Sequence, residues 1–430
     1  MSRRSSALPN LFYAQSGGMT AVINTTAVAV AQAARRYPER IGRVYAGENG
    51  IMGALEEAMI DLSRESPSAM VRLSHTPGGA FGSSRFALGT PESHPHHYQR
   101  ILDVFRAHNI RWFLYNGGGG SAGTSLHVAN AARAAGYPLT VIHLPKTVDN
   151  DLAATDFSPG FGSVAKYTAV STREAALDVM SMCRTSTQVF VMEVMGRHAG
   201  WIAASAGLAQ VDGQGAPHII LFPEVAFDEA RFLAAVSAAV ARDGFCVVVT
   251  AEGLAVNNPQ VRVADEIVTA DHGKDRLNVH TGKAAPYLAA LVGQRLGFRC
   301  HFAVSDYLQR SARHIASSVD VAAAWQVGEA AVDLAVAGHD RVMVALERRP
   351  GRQPVWETVA VPLSRVARRE VCVPRRFIRR DGFGITEACR DYLLPLIHGE
   401  DYPPYRDGLP LLAPLKRQRV VRLLPEWRLT

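Results

Sequence analysis

Trp112-Phe113-Leu114-Tyr115-Asn116-Gly117-Gly118-Gly119-Gly120-Ser121-Ala122-Gly123-Thr124 passes from a short apolar run through four glycines into a helix-forming segment, Ser121 to Ala135. A brief apolar run bounded by glycine reads as a strand buried on both faces, the kind found in parallel sheets. The glycines let backbone N–H groups and a helix N-terminus converge with no side chain in the way, which is how proteins cradle phosphate. A Walker loop is excluded, because Thr124 stands where that motif requires lysine. Gly118, Gly120 and Gly123 satisfy the dinucleotide fingerprint formally, but no acidic ribose partner follows; the region reads Val141-Ile142-His143. The plainer alternative is a glycine turn that permits tight strand–helix packing.

The same alternation extends in both directions. Apolar runs at Leu11 to Gln15, Leu139 to Leu144, Val189 to Val194, His218 to Phe222, Phe245 to Thr250 and Arg341 to Leu346 alternate with alanine-rich helical segments such as Phe227 to Arg242 and Val319 to Val336. Repeated βα units predict an α/β fold, doubly wound, with mostly parallel sheets. At 430 residues the chain is long for one such unit, so two lobes closing on a cleft are expected. After Leu363 the pattern gives way to an Arg- and Pro-rich extension.

With 48% hydrophobic and 20% charged residues, the composition excludes a disordered chain and fits an enzyme with a large core. The cysteines, at 183, 246, 300, 372 and 389, are scattered and lack CxxC spacing, so neither a disulfide framework nor a zinc site is implied, and the cytoplasm fits best. Residues Met1 to Asn10 carry arginines but no apolar stretch behind them for a signal peptide, and no run reaches membrane-spanning length. The formal net charge of +7 is concentrated at Ser364 to Arg380, where seven arginines are interrupted by apolar residues and proline. That run reads as a solvated or subunit-facing surface rather than a nucleic-acid module.

In doubly wound sheets ligands sit beyond the carboxyl ends of the strands. The loops to inspect are therefore Ser16 to Thr20, Asn116 to Thr124, Pro145 to Leu152, Met195 to Gly200 and Glu252 to Gly253. Pro145-Lys146-Thr147-Val148-Asp149-Asn150-Asp151-Leu152 carries the most chemistry: a lysine, a hydroxyl and two carboxylates on one loop. Phosphoryl transfer needs a base, a carboxylate-held metal and positive charge on the migrating group, and this octapeptide has candidates for all three. Alone, Asp-Asn-Asp reads equally as an Asx turn capping a helix.

Five motifs in order carry a family resemblance: Gln15-Ser16-Gly17-Gly18, the Pro77-Gly78-Gly79 loop ending in Ser84-Arg85, Pro145 to Leu152, Glu193-Val194-Met195-Gly196-Arg197, and Tyr307-Leu308-Gln309-Arg310. With them the chain resembles the phosphofructokinase family over roughly Leu11 to Asp320, and Ser158 to Ala165 is similar to its pyrophosphate-dependent branch. The resemblance implies a Mg²⁺-dependent, reversible transfer of phosphate from pyrophosphate to the 1-hydroxyl of fructose 6-phosphate, with the site between the lobes. Carried over, Asp149 is the base, and Thr147 and Arg197 join it in catalysis. Gly18, Arg85, Gly119, Gly120 and Lys146 face the donor, and Asp151 helps hold Mg²⁺. Thr147, Val148, Asp149, Met195, Gly196, Arg197, Glu252, Tyr307, Leu308, Gln309 and Arg310 line the sugar phosphate. Residues 1–150 then form a donor-binding lobe completed by later segments, 151–363 a sugar-phosphate lobe with returning segments, and 364–430 the extension. A homodimer or homotetramer is implied, with neither nucleic acid nor membrane as partner.

Two departures qualify the resemblance. The family's glycine loop carries aspartate at one of two positions, and both are glycine here, Gly119 and Gly120. Gly120 removes the family's barrier to ATP, which keeps an ATP-dependent 6-phosphofructokinase, or a catalytically weak sugar-phosphate-binding homologue, as alternatives. Lys146, matching the pyrophosphate users, argues for pyrophosphate. Gln188 and His301 stand where allosteric relatives have subunit-bridging arginines, so an unregulated enzyme is expected.

Overall fold

Each apolar run becomes a strand, and the register between strands decides which loops meet. The computed structural model describes residues 8–211, 215–254, 283–351, 354–367 and 369–428. Most of the N-terminal stretch read for a leader, and Arg368 of the basic run, lie outside them. In chain order the large sheets use β1 Asn10–Gln15, β2 Val44–Gly47, β3 Met59–Asp61, β4 Ile110–Gly117, β5 Thr140–Pro145, β6 Val189–Val194, β7 Ile219–Leu221, β8 Cys246–Ala251, β9 Cys300–Val304, β10 Val342–Arg349 and β11 Val355–Pro362.

Two compact units result: residues 1–160 with 318–370 and 400–430, and residues 161–317 with 371–399. These limits differ from the expected ones. The first unit continues past 150 because the acidic loop's return is stitched to β10: Asp156 N–H donates to the Leu346 carbonyl at 2.8 Å, and Leu346 N–H donates to Thr155 Oγ1 at 2.9 Å. The extension after 363 is not a separate body, since 371–399 folds with the second unit and 400–430 with the first.

The first unit has a seven-stranded sheet, ordered β11-β10-β5-β4-β1-β2-β3, parallel through its middle with antiparallel edges at β11 and β3. Its core stacks Phe12, Phe105 and Phe113, all fully buried, with ring centroids 5.2 to 5.8 Å apart. The helix Ile23–Ala34 is buried along nearly its whole length, and Gly328 of the helix Ser318–Val336 presses on it. A Cβ at Gly328 would come within 2.6 Å of the Ala29 Cβ, so glycine permits the close crossing.

The end of the extension lies along β3. Asp61 N–H donates to the Gln418 carbonyl and Val420 N–H to the Met59 carbonyl, each at 2.9 Å, which covers an otherwise open sheet edge. A buried carboxylate pins the strap: Glu57 accepts His108 Nε2–H at 2.6 Å and the N–H groups of Leu423 and Leu424 at 2.5 and 3.1 Å. Burial opposes its ionisation, yet these bonds hold its carboxyl below the usual range. Glu57→Ala leaves a buried imidazole and two amides unsatisfied. Chemical denaturation of this variant is expected to show a loss of about 3 kcal/mol, with early proteolysis of the strap.

The second unit has a wholly parallel four-stranded sheet, β7-β8-β6-β9. Its core gathers Val191, Val248, Phe232 and Leu288, all fully buried. Ile220 N–H donates to the Phe383 carbonyl at 2.9 Å and so covers the β7 edge, whereas His301, Phe302 and Ala303 of the opposite edge strand β9 are exposed. The basic run is spent locally in part: Arg375 donates to the carbonyls of Ile378 and Arg379, and Arg379 pairs with Asp381 at 2.8 Å. The five cysteines are free thiols, and no helix among the described residues is long and apolar enough to cross a membrane.

Candidate active site

In the first unit Gln15 stands opposite Asn116, and Gly117 opposite Pro145, so the loops after β1, β4 and β5 leave the sheet side by side. Strand β2 lies on the other flank of β1, which makes this the point where the winding reverses and ligands are expected. Ser16 N–H donates to the Asn116 carbonyl at 2.9 Å, Gly17 N–H to the Ser84 carbonyl at 3.0 Å, and Ser121 Oγ to Ser16 Oγ at 2.8 Å. Arg85 follows Ser84 directly and is exposed. Buried Lys146 ties the third loop in: its N–H donates to the Gly117 carbonyl at 3.1 Å and its Nζ to the Gly18 carbonyl at 2.6 Å. His143 beneath them is fully buried, and burial pushes its pKa down to about 3. The neutral ring donates Nε2–H to Gly117 at 3.0 Å and takes the Ser125 hydroxyl on Nδ1 at 3.3 Å.

Gly119 and Gly120 open the helix Gly119–Ala134, where the first-turn N–H groups have no carbonyl partner within the helix. Gly117 is sterically required, since a Cβ there would lie 2.4 Å from Ser121 Oγ. Gly119 and Gly120 are not. A Cβ at 119 would meet its nearest neighbour, Leu152, at 3.8 Å, one at 120 would meet no atom within 4 Å, and neither residue has positive φ. The missing aspartate is therefore a change of chemistry rather than a demand of packing.

The acidic loop is held by its own polar groups. Asp149 N–H donates to Thr147 Oγ1 at 3.0 Å, Thr147 N–H to Ser158 Oγ at 3.1 Å, and Ser158 N–H to Asn150 Oδ1 at 3.1 Å. Asn150 takes φ of 53°, a left-handed turn that asparagine tolerates. Val148 is buried and so anchors the loop. Burial, then the charge of Asp149 and more weakly that of Glu370, pushes the Asp151 carboxyl up to about 6, and its buried Oδ1 accepts no hydrogen bond. No three metal-ligating side chains gather among the described residues. Mg²⁺ does not need them, because it keeps several waters and is content with one or two carboxylates plus phosphate oxygens. An ionised Asp151 with an unused buried oxygen and a second carboxylate nearby fits that ion. Glu370, inside the basic run, carried no local mark in the sequence. It reaches Asp151 only because residue 370 pairs antiparallel with Leu152.

In the second unit Val194 stands opposite Ala251 and Glu193 opposite Val304, so the loops after β6, β8 and β9 emerge together. Glu252 N–H donates to the Val194 carbonyl at 2.9 Å and Gly253 N–H to the Gly196 carbonyl at 3.2 Å. Gly196 takes φ of 128°, and a Cβ on it would fall 2.5 Å from the Ala199 carbonyl oxygen, so this turn needs glycine. Gln309 is buried and its Oε1 accepts Met195 N–H at 3.3 Å, fixing the short helix Asp306–Arg310 against the Arg197 loop. Arg310 lies over the Tyr307 ring at 4.4 Å. Tyr307 is exposed, as is Leu308, and Arg197 is half-buried. The candidate residues thus form two groups, Gly18, Arg85, Gly119, Gly120 and Lys146 to Asp151 in one unit, and Met195 to Arg197, Glu252 and Tyr307 to Arg310 in the other.

A family model described as phosphofructokinase matches residues 10–335. A pyrophosphate–fructose 6-phosphate 1-phosphotransferase of Halomonas elongata is 54% identical over 98% of this chain and 99% of its own. The enzyme of the same name from Methylococcus capsulatus is also 54% identical, over 94% of this chain and 95% of its own. The crystal structure of a pyrophosphate-dependent phosphofructokinase from Marinobacter aquaeolei, 50% identical, superposes with a TM-score of 0.88 over 98% of this chain and all of that one.

Proposed function

This chain belongs to the phosphofructokinase family, and from that premise we propose that it transfers phosphate reversibly between pyrophosphate and the 1-hydroxyl of fructose 6-phosphate, a glycolytic step. The observation that supports the reading is that the loop carrying Lys146, Asp149 and Asp151 leaves the sheet beside two glycine loops, at the carboxyl ends of β1, β4 and β5, with Lys146 Nζ on the Gly18 carbonyl. The helix N-terminus at Gly119 and Gly120, the Gly18 loop, Arg85 and the Lys146 cation bind the donor's phosphates. Asp149 takes the proton of the 1-hydroxyl as that oxygen attacks the terminal phosphorus; the bridging P–O bond breaks and inorganic phosphate leaves. Thr147 holds the Asp149 backbone and lies beside the transferring group. Mg²⁺, bound through Asp151, would neutralise charge on the donor's oxygens. Arg197 and Arg310 grip the 6-phosphate, for which guanidinium geometry is suited. Met195, Gly196, Glu252 and Tyr307 orient the sugar, and Gln309 acts through the Met195 amide.

Free thiols fit a reducing cytoplasm, where we place the enzyme. The exposed β9 edge favours a homo-oligomer, which light scattering will test.

Fructose 1,6-bisphosphate formation with Mg²⁺ and either pyrophosphate or ATP tests the activity. Turnover with pyrophosphate is expected; turnover only with ATP overturns the donor, and silence with both overturns the reaction. ATP stays a second candidate on one observation, the open space at Gly120. Gly120→Asp fits that space without strain and complements the helix N-terminus. It is expected to raise the pyrophosphate-to-ATP ratio of kcat/KM about tenfold or more by crowding a nucleotide. An unchanged ratio would show that residue 120 does not choose the donor.

A further inference from the structure

The loop that carries Arg197 is held from both ends, and one holder is a carboxylate that none of the family motifs above includes. Glu224 follows β7 in Phe222-Pro223-Glu224, and its Oε1 accepts two backbone N–H groups, Gly200 at 2.9 Å and Val373 at 2.8 Å. Its Oε2 is buried without a hydrogen-bond partner and would lie 2.8 Å from a Cβ at Gly200, so glycine at 200 lets the carboxylate pack this close. The segment 371–373 is fastened to the same loop twice more: Trp201 Nε1–H donates to the Val371 carbonyl at 2.9 Å, and Cys372 Sγ–H to the His198 carbonyl at 3.3 Å. On the other side, Gly253 packs so tightly on the Arg197 carbonyl that a Cβ there would fall 1.8 Å from the oxygen.

We propose that Glu224 is a positioning residue for sugar-phosphate binding, tying the Arg197 loop to residues 371–373 of the C-terminal extension so that the guanidinium is aimed before substrate arrives. The inference rests on the reading that Arg197 grips the 6-phosphate. It gives the start of the extension a task in the reaction. A bidentate phosphate contact depends steeply on geometry, and a displacement of about 1 Å at such a group can cost on the order of 10²-fold. Without the Glu224 acceptor, two buried amides lose their partner and the loop between Gly196 and Gly200 loses its second anchor.

Steady-state kinetics of the full chain test this. Glu224→Ala is expected to raise KM for fructose 6-phosphate roughly tenfold or more, with KM for pyrophosphate unchanged and kcat affected less. Glu224→Gln, which keeps an acceptor at Oε1, should recover most of the loss. If Glu224→Ala does not fold, Glu224→Asp, too short to reach both amides, should show the same KM split. A purely structural role would lower melting temperature and active fraction while leaving both KM values alone, and that result overturns the proposal. So does an equal rise in both. Arg197→Ala separates the two levels: if it spares the sugar-phosphate KM, the reading of Arg197 fails; if it raises that KM while the Glu224 variants do not, only the brace fails.

Discussion

Asp149→Asn will lower kcat by about 10³-fold or more while leaving KM for fructose 6-phosphate within a few-fold of its value. The substitution keeps size and shape but removes the carboxylate proposed to accept the 1-hydroxyl proton. Two of the bonds that set the loop, Asp149 N–H to Thr147 Oγ1 and Thr147 N–H to Ser158 Oγ, do not involve the Asp149 carboxylate and are kept in the variant. Neither Asp151 nor Glu370 is a ready substitute: in the proposed reading the first is committed to Mg²⁺, and the second is on another segment. Rapid-quench or coupled assay of bisphosphate formation, with sugar-phosphate binding measured separately, reads the two effects. A rate within about tenfold of the parent would remove Asp149 from the role of base.

Lys146→Met is expected to reduce kcat/KM for pyrophosphate by about 10² to 10³-fold, the usual loss when one fixed charge aimed at a transferring group is deleted. Methionine matches the lysine stem in length, so packing beneath the loops should survive and thermal unfolding should move little. What disappears is the buried ammonium between the Gly18 carbonyl and the backbone of Gly17, where a Cβ would already approach Nζ to 3.4 Å. Its burial matters, because a cation screened from water acts on a polyphosphate more strongly than one in solvent. A loss confined to the sugar-phosphate KM would place Lys146 on the wrong substrate.

The glycine loop, the acidic loop and their strands were legible because each is a local pattern: apolar run, glycine or carboxylates, helix. Val189–Val194 begins and ends where the sequence placed it, and β5 is shifted by a single residue at each end. The antiparallel edges were harder to see. Strands β3 and β11 carry mixed burial or only three residues, so they lack the continuous apolar signal of β4 or β8. Strand β9 is exposed over much of its length and is not among the apolar runs read as strands. The unit limits were misplaced for a related reason. Nothing in residues 150–160 announces the hydrogen bonds to Leu346, made by a strand nearly two hundred residues on.

Local pattern alone carried the α/β class, the order of the glycine and acidic loops, and the residue types able to take a proton or hold an anion. Those properties reside in short contiguous stretches, where periodicity and backbone freedom act over a few residues. It took the folded chain to show that Lys146 caps Gly18, that Glu370 shares the field of Asp151, that Glu224 ties residue 200 to residue 373, and that the space beside Gly120 is open. Each of these depends on groups far apart in the chain, and their meeting is set by sheet register and burial, which no local stretch encodes.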